Sequence, residues 1–325
     1  MKIAILDDYQ NAVEKLDCYA LLSEHEVTVF NHTFSSAATL AKAVYDYDVL
    51  VLIRERTQIN RELLARLPNL KLISQTGKIS QHLDISACRE YGVAVCEGRG
   101  SPIAPSELCW SLIMAASRHL PAYVQNLENG VWQSSGALGL GRSLNGLTLG
   151  IWGYGKIGQK IAQFGQAFGM KVLVWGREAS LEKALEDGFN PALSKADFFR
   201  NSDVLSLHLR LHPSTRACVK EEDLALMKAD SLFVNTSRAE LVEKGALLSQ
   251  LKAQPNKGAA LDVSDVEPAT HLMKGSETQQ LIQLENVLAS PHLGYVEQNS
   301  YELYFKIAFN NVLAYAKGEP ENLLD

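Results

Sequence analysis

Residues 147–158 read Leu147-Thr148-Leu149-Gly150-Ile151-Trp152-Gly153-Tyr154-Gly155-Lys156-Ile157-Gly158. An apolar run breaks into glycines and then into a helical pattern: a buried strand, a tight turn and a helix start. This is a seat for a dinucleotide pyrophosphate. Gly153 permits the turn, Gly155 lets backbone approach phosphate with no Cβ in the way, and Gly158 lets the helix lie close on its strand. The free N–H groups of the helix start face the anion. Glycine turns without a ligand are common, so the motif needs its context. Here the helix from Lys156 to Phe168 is stopped by Gly169, and a second strand, Lys171-Val172-Leu173-Val174-Trp175, follows at βαβ spacing.

The same alternation extends outward in both directions. Ile3–Leu6, Val27–Phe30, Val49–Ile53, Lys71–Ser74 and Val93–Cys96 are short β-branched runs, separated by amphipathic stretches such as Ala12–Leu22 and Arg61–Leu67. From Leu147 the series resumes through Val172–Trp175, Val204–Leu207, Ser231–Asn235, Gly258–Val263 and Val287–Ser290. Strands alternating with helices argue for parallel sheets covered on both faces, and here for two doubly wound α/β domains. Between them, Pro102 and Pro105 precede an apolar helix, Ser106–Leu120, whose Leu108, Cys109, Trp110, Leu112, Ile113 and Met114 cover most of its circumference. Such a helix is buried on several sides, either at a subunit interface or at a domain joint. Leu303, Tyr304, Ile307, Ala308, Val312 and Tyr315 form a closing helix. The expected organisation is residues 1–100 as one domain, 101–293 as an inserted cofactor domain, and 294–325 as a helix returning to the first.

The 325 residues suffice for about two domains. A net charge of −6 gives no general basic footprint for nucleic acid or an acidic membrane surface. No uninterrupted apolar run reaches the roughly 18 residues of a membrane span, and no signal-peptide core develops before Asp7 and Asp8. Cys18, Cys88, Cys96, Cys109 and Cys218 are scattered without a CxxC pair and read as reduced core residues of a cytoplasmic protein. His25, His32, His82, His119, His212 and His271 lack metal-ligand spacing, so a metal-free reaction is expected.

Three polar residues follow apolar strands of the second series: Arg238 after Phe233–Ser237, Glu267 after Ala260–Val263, and His292 after Ala289-Ser290-Pro291. In a parallel sheet the carboxyl ends of strands face the ligand crevice, so the three can converge. Singly, each admits a plainer role: a surface ion pair, a turn carboxylate before Pro268, a strand-end cap. Together they suit hydride transfer to a 2-oxo acid. A guanidinium holds a carboxylate bidentately, an imidazolium protonates the carbonyl oxygen, and a carboxylate fixes the imidazole tautomer.

The segments Asn235-Thr236-Ser237-Arg238-Ala239-Glu240-Leu241-Val242, Gly258–Val263 with Glu267-Pro268, and Pro291-His292-Leu293-Gly294 resemble the signature blocks of D-isomer-specific 2-hydroxyacid dehydrogenases. This family includes 3-phosphoglycerate dehydrogenase and glyoxylate/hydroxypyruvate reductases. The resemblance implies a flavodoxin-like substrate domain, an inserted Rossmann domain and closure of the two over substrate. It also implies a homodimer contact on the cofactor domain, which favours the subunit role for the helix after Ser106. By resemblance Arg238 binds substrate, Glu267 is the partner carboxylate and His292 the acid/base. Asp262 would hold the nicotinamide carboxamide, and Lys156, Ile157, Leu209, Thr236, Ser237 and Gly294 would line the cofactor. His208 is read as shaping the same pocket.

Two places depart from the family pattern. The second Rossmann strand ends in Trp175-Gly176-Arg177-Glu178, without the acid that takes a ribose 2′-hydroxyl. Gly176 leaves space and Arg177 offers a guanidinium, which favours NADP over NAD, unless Glu178 shifts into the acid's role. The loop Gln75-Thr76-Gly77-Lys78-Ile79 has one glycine where the family often has two. Gly77, Lys78 and Ile79 are the expected substrate-carboxylate contacts. Lys78 with Arg54, and Arg56 beside them, either recognise a second anionic group or are solvated surface cations. Because the chain stops at Asp325, regulation through an appended domain is not expected. The function expected is an NAD(P)-dependent oxidoreductase of small 2-oxo and D-2-hydroxy acids. The alternative is a non-enzymatic, nicotinamide-sensing protein on the same fold, as in the family's corepressors.

Overall fold

The computed structural model describes residues 1–267 and 274–324. Pro268 and His271 lie outside the described residues. The chain forms two compact units, one made of Met1–Ser101 with Val296–Asp325, the other of Pro102–Tyr295.

In the first unit β1 (Lys2–Ile5), β2 (Glu26–Val29), β3 (Val49–Leu52), β4 (Leu72–Gln75) and β5 (Ala94–Cys96) form a parallel sheet of order β2-β1-β3-β4-β5. β3 is four buried residues, Val-Leu-Val-Leu, as a central strand covered on both faces requires. The helix Gln298–Ala316 supplies part of that cover. Its Tyr301, Tyr304, Phe305 and Phe309 are buried, and Ser74 Oγ on β4 donates to its Ala308 carbonyl at 2.8 Å. The amphipathic stretch 12–22 forms two 3-10 segments, Val13–Lys15 and Asp17–Leu22, rather than one α-helix. Leu16 is extended between them. The carboxylate of Glu302 takes the N–H groups of Asp17 and Cys18 at 2.5 and 3.1 Å, capping the second segment from a helix remote in sequence.

The second unit carries β6 (Thr148–Trp152), β7 (Lys171–Trp175), β8 (Asn190–Pro191), β9 (Val204–Leu207), β10 (Leu232–Asn235), β11 (Gly258–Leu261) and β12 (Val287–Ala289). All pairings are parallel, in the order β12-β11-β10-β9-β6-β7-β8. The order reverses between β6 and β9, which opens a crevice at their carboxyl ends. The two doubly wound parallel sheets expected from the sequence are therefore present. β8 was not foreseen: two residues at a sheet edge, one of them proline, leave no periodic trace.

The apolar helix spans Ile103–Ser117 instead of Ser106–Leu120. Pro102 and Pro105 sit at its start, where missing N–H groups cost nothing. His119, at φ 50°, ends it and begins a second helix, Leu120–Glu128. Cys109, Trp110, Leu112 and Ile113 join one core with Leu149, Ile151, Val174 and Val234. Its own unit thus covers much of the helix's apolar circumference, with Leu108 and Met114 half-buried and Ile103 exposed. A run of further exposed apolar side chains follows it: Leu120, Val124, Leu127, Val131, Trp132 and Leu140. Among the described residues, no helix is long and apolar enough to cross a membrane.

Candidate active site

The glycine turn lies at the carboxyl end of β6. Gly153 has φ 99°, and the His208 carbonyl oxygen comes within 2.5 Å of where a Cβ would stand. Gly158 is packed against the Gly153 carbonyl and Ile151, so a side chain there would collide with backbone. Gly155 has nothing within 4 Å of a Cβ position and opens outward. It is the N-cap of the helix Lys156–Ala167, and no side chain caps that helix. Exposed backbone at an uncapped helix start, with Lys156 exposed and Ile157 half-buried beside it, fits a dinucleotide pyrophosphate.

At the end of β7, Gly176 lies against Ser180, whose Cβ is 3.3 Å from a Cβ position on the glycine. Arg177 is exposed and N-caps the helix Glu178–Glu186, with Glu178 exposed in its first turn. Ser180 was not singled out in the sequence, although its place in the first turn after a glycine-arginine pair is a usable signal.

The loops after β9 and β10 are tied together. Ser237 Oγ donates to the Leu207 carbonyl at 2.7 Å, and the Ser237 N–H is accepted by Asn235 Oδ1 at 3.0 Å. Asn235 Nδ2 in turn donates to the Arg238 carbonyl at 2.8 Å. Arg238 Nη1 donates to the Ser237 carbonyl at 2.6 Å, which orients the guanidinium. Thr236, Ser237, His208 and Leu209 are all partly exposed along this edge.

β11 and β12 bring the remaining groups together. Glu267 Oε2 and His292 Nδ1 are 2.6 Å apart. Partial burial works to raise the Glu267 carboxyl, but the hydrogen bond and charge of His292, the Ser264 N–H and the nearby Arg238 outweigh it. The carboxyl is held below the ordinary glutamate range. His292 has φ 55°, a left-handed conformation uncommon outside glycine. Asp262 at the end of β11 explains how the turn is held. Its Oδ1 accepts from Ser290 Oγ at 2.6 Å and from the Leu293 N–H at 2.7 Å, and its Oδ2 accepts from the Gly294 N–H at 2.9 Å. Asp262 therefore grips the chain on both sides of His292. Ser290 was missed in the sequence because its partner is 28 residues away.

In the first unit, Arg54 has φ 53° at the end of β3, and its guanidinium lies against Gly77. Gly77 itself has φ 107°. Lys78 is in an ion pair with Glu97, whose other carboxylate oxygen is 3.5 Å from the Ile79 N–H. Arg56 donates to the Asp7 carbonyl at 2.6 Å and stands 4.5 Å over the Tyr9 ring. Among the described residues, no group of three His, Cys, Asp or Glu side chains could hold a metal ion.

Comparison with known proteins places this geometry. Residues 110–294 match the family model described as D-isomer specific 2-hydroxyacid dehydrogenase, NAD binding domain. The chain belongs to the D-isomer specific 2-hydroxyacid dehydrogenases. The dehydrogenase is 32% identical over 296 residues to the glyoxylate reductase of Thermococcus litoralis, covering 88% of this chain and 86% of that one. It is 34% identical over 257 residues to the hydroxypyruvate reductase of Thermotoga maritima, covering 78% and 80%. A crystal structure titled phosphoglycerate oxidoreductase, from Vibrio cholerae o395, superposes with a TM-score of 0.94 at 60% identity over 98% of this chain and 99% of that one. The dehydrogenase is thus an oxidoreductase of 2-hydroxy acids with a nicotinamide cofactor.

The contact between Gly158 and Gly153 yields a test. Gly158→Val forces a side chain against backbone, so unfolding in urea should show a loss of about 1–3 kcal/mol. Binding of NADH and NADPH, followed by fluorescence, should weaken in the same variant. A variant with the stability and affinity of the parent would show that the helix has no need to approach the turn.

Proposed function

We propose that the dehydrogenase interconverts a small 2-oxo acid and its D-2-hydroxy acid, with His292 as acid/base, Glu267 as its orienting carboxylate and Arg238 as the clamp on the substrate carboxylate. The observation that carries this reading is the 2.6 Å hydrogen bond between Glu267 and His292, with Arg238 near enough to depress the same carboxyl. Because Glu267 takes Nδ1, the nitrogen left to exchange a proton with the substrate oxygen is Nε2. Glu267 stays ionised and offsets the charge of the imidazolium. Arg238 can present two parallel N–H donors to a carboxylate and polarise the adjacent carbonyl. The nicotinamide, when bound, gives or takes the hydride at the substrate's C2.

The cofactor residues are Gly153, Gly155, Lys156, Ile157 and Gly158 for the pyrophosphate. Leu209, Thr236, Ser237 and Gly294 line the groove, and Asp262 acts through the turn it ties. Exposed Arg177 beside Gly176 supports NADP over NAD. Arg54, Gly77, Lys78 and Ile79 are the proposed substrate contacts of the first unit. The pairing of Lys78 with Glu97 supports a substrate with a single carboxylate, as in glyoxylate or hydroxypyruvate, over a phosphorylated one. The exposed apolar run from Leu120 to Trp132 supports a homodimer. The five cysteines, none in a disulfide, support a reducing compartment.

A panel of 2-oxo acids assayed by absorbance with NADH and NADPH in parallel tests the activity. His292→Ala should lower kcat by roughly 10²–10⁴-fold while leaving cofactor affinity within twofold. Turnover equal to the parent's would sink the assignment. Tight cofactor binding with no turnover of any acid would favour a nicotinamide-sensing protein instead. Arg177→Ala should cost NADPH roughly 10–100-fold in affinity and leave NADH unaffected, and equal losses for both would reject NADP selection. Sedimentation equilibrium should give the mass of a dimer, and Leu127→Glu should shift it toward monomer. A monomeric parent would remove the dimer from the reading.

A further inference from the structure

Behind the glycine turn a short polar chain runs through the interior, with Thr236 and Asp262 beside its thiol end. Cys109 Sγ, on the helix Ile103–Ser117, is 3.6 Å from Ser206 Oγ on β9, and Ser206 Oγ is 2.9 Å from His208 Nε2. Cys109 and Ser206 are completely buried. His208 follows β9 directly, and its carbonyl is the group packed on Gly153. Its Nδ1 makes no hydrogen bond to any described residue.

The proton positions in this chain follow from the strength of the acceptors. Ser206 has one hydroxyl proton and two neighbours able to accept it, an imidazole nitrogen and a sulfur. Sulfur is the weak acceptor, and it is the more distant of the two. The hydroxyl therefore donates to His208 Nε2. Burial pushes the Cys109 thiol up to about 11, so the sulfur keeps its proton, with the hydroxyls of Ser206 and Thr236 as its two neighbours. The opposite order would aim the hydroxyl at the thiol and leave the nitrogen as donor. With Nε2 accepting, the ring proton sits on Nδ1. Burial also pushes the His208 imidazole down to about 4, so the ring is uncharged near neutral pH.

We propose that Ser206 is a positioning residue of the cofactor site: it fixes His208 in the Nδ1–H tautomer and so gives the dinucleotide seat beside Gly153 a fixed hydrogen-bond donor. The proposal rests on the reading of the glycine turn as that seat. It assigns His208 and His292 different tasks. His292 exchanges protons, while His208 holds a fixed one.

Nitrogen NMR of the ¹⁵N-histidine-labelled chain without cofactor should show His208 protonated at Nδ1 only, and Ser206→Ala should convert it to a mixture of tautomers. In fluorescence titrations with NADH and with NADPH, Ser206→Ala should weaken binding roughly fivefold, the effect of one lost hydrogen bond. Ser206→Thr should restore it. His208→Asn keeps a donor near the Nδ1 position and should bind more tightly than His208→Leu, which guards against a merely structural loss in Ser206→Ala. A proton on Nε2 in the parent, or unchanged cofactor affinity in Ser206→Ala, would overturn the relay. A parent chain that binds neither dinucleotide would instead overturn the seat, and the proposal with it.

Discussion

The arrangement of the second unit's polar groups depends on one buried carboxylate. Asp262 is almost wholly enclosed, and burial works to raise its carboxyl above the ordinary aspartate range. Its hydrogen bonds from Ser290, Leu293 and Gly294 pull the other way without cancelling that rise. Those bonds are also geometry. They anchor the residues flanking His292 to the end of β11, and they hold that residue in a backbone conformation it would otherwise leave. A strained turn clamped from beneath presents its side chain with little freedom, the constraint that the proton transfer proposed for His292 requires.

What the sequence made legible is what repeats or punctuates. The β-branched runs marked the long strands, and the glycines marked the turn after β6, because each had a steric reason to be there. Arg238, Glu267 and His292 could be placed at strand ends since parallel sheets put polar residues there. The rest lies in contacts between distant positions. Nothing local to residues 12–22 announces that Glu302 will take two of their N–H groups and favour 3-10 turns. Nothing local to His119 announces the left-handed break after the apolar helix, and a two-residue strand such as β8 has no period to detect. The link from Cys109 to Ser206 spans 97 positions and was read only as a small hydrophobic residue in a core.

The first unit carries its own lesson about charge. Counting cations near the ends of β3 and β4 gives Arg54, Arg56 and Lys78. The structure sets Lys78 against Glu97 and Arg56 against a carbonyl and an aromatic face. Neither Glu97 nor Tyr9 stood out in the sequence, because a partner's identity depends on which strand ends become neighbours. A basic cluster in a sequence is therefore an upper limit on the positive potential a ligand meets.

The first unit is built from two separated pieces of chain, and this has a consequence for how the polypeptide acquires its shape during translation. The 19-residue helix Gln298–Ala316 that covers β4 is made after the whole of the other unit. Until then residues 1–101 lack the part of their sheet's cover that this helix supplies, and the Ser74 hydroxyl lacks its carbonyl. The continuous unit has every strand it needs and can condense first. The interrupted one must wait, part of its apolar surface uncovered, for the segment that is made after the other unit, which leaves it the half more exposed to misassembly.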